Sequence, residues 1–133
     1  MNRVLPVVRI LLGLVFVVFS ANYFVTFLPE PEAPTGDLAV VAGALVTAKF
    51  MAVVKALELV AGLALLVNRA VPLALAILAP IIIAITVFHA VLAPSGIVLP
   101  VVLIAFELVL AWGYRSAFAP MLRLQVTPDG LRK

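Results

Sequence analysis

Four long runs of apolar residues constrain this chain more than any other feature of its sequence. A bilayer core about 30 Å thick is crossed by about 20 helical residues, and the runs cover residues 4–28, 49–67, 70–92 and 97–114. Hydrophobic residues make up 66% of the chain and charged residues 11%, which leaves too little polar surface to coat a soluble globule. Arg3 and Arg9 lie at the start of the first run, as basic residues do in a secretory signal. The run is nevertheless long enough to span the membrane, and we interpret it as the first helix. We predict an all-α integral membrane four-helix bundle that forms a single domain.

The basic residues predict the orientation of this bundle. Seven of the nine Lys and Arg residues fall on the side of the membrane that four spans assign to both termini and the second connection. The positive-inside rule makes that side cytoplasmic, so we expect an inner (plasma) membrane protein whose termini and tail, 116–133, are in the cytoplasm. The net charge of +3 follows from this topology, and no nucleic-acid partner is predicted. The seven residues are Arg3, Arg9, Arg69, Arg115, Arg123, Arg132 and Lys133.

A break is expected between the first loop and the second span. Residues 37–67 are all compatible with a helix, but such a helix would be roughly 46 Å long, too long for a simple crossing. We therefore predict a short extra helix at 38–48 on the outer side, capped by Asp37, which turns near 47–50 into the second span. The alternative is one long protruding helix.

Small residues and one proline predict local features of the spans. The glycines at positions 13, 43, 62 and 113 offer small surfaces for close contact between helices. Pro80, inside the third span, removes a backbone hydrogen bond and is expected to kink that helix. Neither the glycines nor Pro80 leads to a prediction of function, because their expected effects are on helix packing and helix shape.

Five polar residues interrupt the apolar runs, and every span contributes at least one. Charged side chains are costly in lipid, so each is a functional candidate. Lys55 and Glu58 are three apart on one helix face and can form an ion pair. Counted along the spans, Asn22, His89, Lys55, Glu58 and Glu107 all fall in the outer half or near the midplane. We predict an outward-opening polar pocket with the two glutamates at its floor and Asn22 and His89 near its mouth.

These residues leave several kinds of chemistry open and exclude others. Two carboxyl groups at one depth beside a single lysine can relay protons; alternatively, the cluster is a hydrogen-bond network that only fixes helix register. His89 alone is equally typical of an interfacial side chain. No metal site is predicted, because no ligand spacing is present. The absence of cysteine excludes thiol exchange and iron–sulfur clusters carried by this chain alone.

Short motifs are spread from the first predicted helix to the start of the tail. They are Asn22-Tyr23-Phe24, Lys55-x-x-Glu58-x-x-x-Gly62, Asn68-Arg69-x-x-Pro72-Leu73, Ala79-Pro80-Ile81, Phe88-His89, Pro94-x-Gly96 and Glu107-Leu108-x-Leu110-Ala111-Trp112-x-Tyr114-Arg115. In this combination the chain resembles the DoxX family of small four-helix membrane proteins. Relatives often have Asn one turn before the Phe-His pair, where this chain has Ala84, which implies a less polar pocket.

The resemblance implies a bacterial-type inner-membrane protein. The family name comes from a subunit of an archaeal thiosulfate:quinone oxidoreductase, and relatives are associated with membrane oxidoreductase complexes and oxidative-stress responses. We therefore expect a component of a membrane redox system that binds a quinone or a similar apolar molecule. Glu58 and Glu107 would handle protons, Lys55 would fix the charge of Glu58, and Asn22 and His89 would hydrogen-bond the ligand. Whether the chain is an enzyme stays open, because electrons would need a bound ligand or a partner subunit.

Two other functions remain compatible with the sequence. One is a noncatalytic membrane subunit or assembly factor, whose polar cluster is structural and whose outer helix docks a membrane or extracytoplasmic protein. The other is a small transporter or proton-coupled channel, which would need an oligomer because four helices enclose little room.

Overall fold

The fold is all-α, as the sequence predicts. The computed structural model describes residues 3–130, and this part of the chain contains no β-strand. Residues 1–2 and 131–133, which include Arg132 and Lys133 of the basic set, lie outside the described residues. The helices are α1 (Val4–Phe24), α2 (Gly36–Thr47), α3 (Phe50–Leu66), α4 (Val71–Leu92), α5 (Val98–Gly113) and α6 (Arg115–Phe118), with 3₁₀ turns at Pro94–Gly96 and Ala119–Leu122.

The helices α1 and α4 are each long and apolar enough to cross a membrane. The helices α3 and α5 qualify only together with their bent neighbours, α2 before α3 and residues 115–122 after α5. The bends are 77° and 79°, so residues 3–130 contain two candidate membrane spans, or four when each bent pair is counted as one. The expectation of membrane-spanning helices is thus supported by length and composition.

The four long helices pack as a ring. The helix α1 packs against α3 and α5, and α4 packs against the same two helices from the opposite side. Fully buried apolar side chains fill the centre, among them Leu12, Leu65, Leu75, Leu78 and Leu110. Large apolar side chains also cover the outside of the ring, which is the pattern of a surface that faces lipid.

Glycines permit the closest helix contact, between α1 and α3. A Cβ atom added to Gly62 would lie 2.9 Å from Val17 Cγ2 and 3.1 Å from the carbonyl oxygen of Gly13, so no side chain fits there. Gly113 similarly lies against the side chain of Leu5. The prediction was wrong for Gly43, whose Cβ position on α2 is open.

The chain bends between α2 and α3, where the length argument predicts a break. Lys49, with φ of 58°, is left-handed and separates the two helices, so the alternative of one long helix is wrong. The prediction of Asp37 as the cap is also wrong. The N-cap of α2 is Thr35, and Asp37 lies in the first turn, where its charge is favourable to the helix dipole.

The end of the first span differs from prediction, whereas α5 agrees with the predicted 97–114 to within one residue at each end. The helix α1 ends at Phe24 rather than at residue 28, because Asn22 Oδ1 accepts hydrogen bonds from the backbone N–H groups of Phe27 (3.0 Å) and Leu28 (2.8 Å) and turns the chain. The first part of the predicted tail is helical. Pro80 lies inside α4, which continues as one helix through it.

One basic side chain joins two helices at the end of the ring opposite residues 25–35. Arg9 of α1 donates hydrogen bonds to the backbone carbonyls of Leu65 and Leu66 on α3. These carbonyls belong to the last turn of α3, where they have no partner within the helix. We call this end of the bundle the tail end, and the end with residues 25–35 and 93–97 the loop end.

Candidate functional site

A cavity of about 500 Å³ lies between the helices at the loop end of the bundle. All four long helices and α2 contribute to its walls, which are mainly apolar. Four phenylalanines supply much of this surface: Phe16, Phe19, Phe50 and Phe88. A volume in this range is typical of sites for small organic ligands, which also need a few polar groups to fix the ligand's orientation.

Two of those polar groups form an ion pair on α3. Lys55 Nζ lies 2.9 Å from Glu58 Oε2, as their spacing predicts. The Glu58 side chain is 2% exposed and that of Lys55 is 21% exposed, and both line the cavity. A carboxylate buried this deeply is tolerable only when it is paired and hydrogen-bonded. The lysine, which is less buried, is the member of the pair with donor capacity left for a ligand.

Ser20 adds a third polar group to the ion pair of Lys55 and Glu58, and this contact was not predicted from the sequence. Its hydroxyl Oγ donates to Glu58 Oε2 at 3.2 Å, and Ser20 itself is fully buried in α1. The signal in the sequence was slight: Ser20 is the single Ser or Thr in α1. Because two donors reach the same carboxylate oxygen, the negative charge of Glu58 is held by two different helices.

His89 lines the cavity from α4, the neighbour of α3 in the ring. Its Nδ1 atom is 2.8 Å from the carbonyl oxygen of Ile85. Because a carbonyl oxygen only accepts, Nδ1 carries the proton, and in the neutral ring Nε2 is left with a free lone pair. The ring edge that carries Cδ2 and Nε2 lies against Gly96 in the loop before α5, where an added Cβ would be 2.9 Å from Cδ2 and 3.4 Å from Nε2. This contact and the Ile85 hydrogen bond fix the orientation of the imidazole.

Asn22 does not line the cavity. Its carboxamide oxygen already accepts the two backbone hydrogen bonds that turn the chain after α1. The observed role of Asn22 is therefore to end a helix and start the first loop.

Glu107 is also not brought to the cavity. It is 9% exposed and faces the interior from α5, yet its Oε2 atom has no hydrogen-bond partner among residues 3–130. Glycine contacts show where the two carboxyl groups lie along the bundle axis. Gly62, one turn from Glu58 on α3, lies against Phe16 of α1. Gly113, at the end of the helix that carries Glu107, lies instead against Leu5 in the first turn of α1. The two glutamates are therefore separated along the bundle axis by a distance on the order of 10 Å. A shared floor for both is not what the geometry favours.

A second depression of about 570 Å³ lies on the surface of the loop end. It is bordered by the first loop, the start of α2 and the end of α4, and its acidic residues, Glu32 and Asp37, are exposed. It contains no buried charged group among the described residues. The cavity between the helices is therefore the better candidate for a ligand site.

The volume and apolar walls of the cavity suit a small, mainly apolar molecule, and its lining includes one donor and one acceptor that could contact it. Lys55 Nζ can donate to a carbonyl oxygen, and His89 Nε2 can accept a hydrogen bond from a hydroxyl. Comparison of the chain with protein-family models, with curated proteins and with solved structures gives no match.

Proposed function

We propose that this chain is a four-helix inner-membrane protein, with both termini in the cytoplasm, that binds a quinone or a similar small apolar molecule at its outward-facing loop end. In this arrangement α2 lies on the outer surface of the membrane, and the residues after Arg115 lie on its inner surface. The resemblance to the DoxX family supports a role as a component of a membrane redox system. Electrons would then come from a partner subunit or a second bound ligand.

One observation carries the proposal: an apolar, phenylalanine-rich cavity that contains a charged donor on α3 and an imidazole acceptor on the neighbouring helix α4. A quinone needs donors at its carbonyl oxygens, which Lys55 can supply. The reduced quinol has hydroxyl groups in their place, and the lone pair of His89 Nε2 can accept from one of them. The site thus has a hydrogen-bond partner for either redox form, and the ion pair with Glu58 fixes the position of the Lys55 ammonium.

The proposal predicts different effects of two substitutions on the two redox forms. We expect Lys55→Met to weaken binding of a decyl-tailed benzoquinone about tenfold, or about 1.4 kcal/mol, and His89→Phe to weaken the corresponding quinol more than the quinone. Titration of the detergent-purified protein followed by native mass spectrometry measures both affinities. Lys49→Met is the matched control, because Lys49 is exposed and does not line the cavity. Absence of binding to the folded wild-type protein would refute the proposal.

A second candidate function is a noncatalytic membrane subunit, which the surface of α2 favours. This helix has no fully buried residue, and Val40 and Val46 expose 71% and 52% of their surface. Exposed apolar side chains on a surface helix are typical of a docking site. We expect Val40→Glu with Val46→Glu to remove a copurifying membrane protein partner without changing quinone affinity. If affinity purification of the wild type recovers no stoichiometric partner, this function is excluded.

A further inference from the structure

The bundle is more closely packed at its tail end than at its loop end between α3 and α4. Toward the loop end, the last fully buried residues are Ser20 on α1, Glu58 on α3 and Ile82 on α4, whereas α5 has a fully buried residue, Pro100, in its first turn. Residues 50–57 of α3 and 83–92 of α4 include none that is fully buried. These two stretches face the cavity without closing against each other.

The cavity reaches the side of the bundle between α3 and α4. Pro80 and Ala84 on α4 and Phe50 on α3 line the cavity and are exposed, so we infer that the cavity is open to the outside of the bundle at these residues. Ala84 is about 140° around α4 from His89. The cavity that Ala84 lines has five lining residues on α3 and only two on α5, so we infer that Ala84 lies on the flank of α4 toward α3. The rim of this opening on α4 is made of small side chains.

The helix α2 lies at the loop end, where it packs against α3. Leu45, near its end, lines the cavity, while Leu38, near its start, borders the surface depression, as does Val91 at the end of α4. Leu45 is the one residue of α2 that lines the cavity, so this helix forms only a small part of the cavity wall.

We propose that the ligand is an amphiphile with a polar ring and a single apolar tail, that the ring lies between Lys55 and His89, and that the tail leaves past Ala84 into the hydrocarbon layer. This inference rests on the proposed function and adds the class of ligand and its route. Beyond Ala84, the surface of α4 continues with Ile83 and Val87, which are 62% and 56% exposed. A tail on this apolar surface would stay in lipid and expose no hydrocarbon to water.

The test compares two probes and two matched variants. The probes are a dimethoxy-methyl-benzoquinone with a decyl tail and the same ring without a tail, each titrated into protein in lipid nanodiscs. Ala84→Trp narrows the opening, and Ala76→Trp places the same side chain on an exposed position of α4 that does not line the cavity. We expect Ala84→Trp to weaken binding of the tailed probe at least tenfold and to change binding of the tail-less ring less than twofold. Ala76→Trp should change neither.

Each other outcome has a defined meaning. If Ala84→Trp leaves the tailed probe unaffected, or weakens both probes equally, the lateral route is wrong while ring binding to the wild type keeps the proposed function. If neither probe binds the wild type, the proposed function fails first. A tailed probe with a diazirine at the tail end tests the same route without any variant. We expect it to label residues 80–87 or 50–57; labelling confined to α2 or residues 25–35 would overturn the inference.

Discussion

Replacing Glu58 with leucine is expected to destabilise the protein by about 2–3 kcal/mol, whereas the same replacement at Glu107 is expected to stabilise it by about 1 kcal/mol. Glu58 is 1% exposed and holds Lys55 and Ser20, so its loss leaves a buried hydroxyl and a partly buried ammonium without their acceptor. The lysine is partly hydrated, which keeps the expected loss below that of a fully buried pair. Glu107 Oε2 has no partner within residues 3–130, so leucine removes an unsatisfied atom and keeps the packing.

Thermal or denaturant unfolding in a fixed detergent measures both changes. The double variant Lys55→Met with Glu58→Leu is the control, because replacing both members of a buried ion pair by apolar residues is often neutral or stabilising. It should recover most of the stability lost in Glu58→Leu. A destabilising Glu107→Leu would mean that Glu107 has a partner in the assembled protein, in lipid or in another subunit.

Gly62→Leu is expected to destabilise the bundle by about 3 kcal/mol, the upper end of the roughly 1–3 kcal/mol that overpacking with backbone shifts typically costs. Any Cβ at this position meets Val17 and the backbone of Gly13, so α1 and α3 must separate. Their separation would also pull Ser20 away from Glu58 and widen the cavity. We therefore expect both a lower melting temperature and weaker binding of the decyl-tailed quinone.

The matched control is the same substitution at Gly43. Its Cβ position is open, so leucine there meets no atom and gains roughly 1 kcal/mol of helix propensity. Circular dichroism melting curves of the two variants should shift in opposite directions. Equal destabilisation by both would show that the contact between α1 and α3 is looser than these distances indicate.

Features that depend on one helix were predictable from the sequence. The ion pair of Lys55 and Glu58 follows from a spacing of three residues, and the break at Lys49 follows from the length of the run that contains it. Spacing could not tell Gly62 from Gly43, because the difference is which neighbour, if any, approaches the residue.

Features that depend on the relative positions of neighbouring helices along the bundle axis were not predictable. Counting residues from the ends of the spans put Glu58 and Glu107 at one depth, but α3 and α5 contact α1 at different heights. The end of α1 was missed because the Asn22 side chain competes with the helix for backbone donors a few residues further on. Ser20 was missed because its partner lies on another helix.

The helix lengths have a consequence for the surrounding lipid. With 21 and 22 residues, α1 and α4 are about 32 Å long, whereas α3 and α5, with 17 and 16 residues, reach only about 25 Å. Long and short helices alternate around the ring, so a bilayer that matches α1 and α4 is too thick at the two flanks between them. In the proposed four-span arrangement the membrane must thin locally at α3 and α5. The acyl-chain length of the lipid would then determine how well the bilayer fits the α3 flank. Through that fit, it would also affect the width of the opening through which a tailed ligand passes.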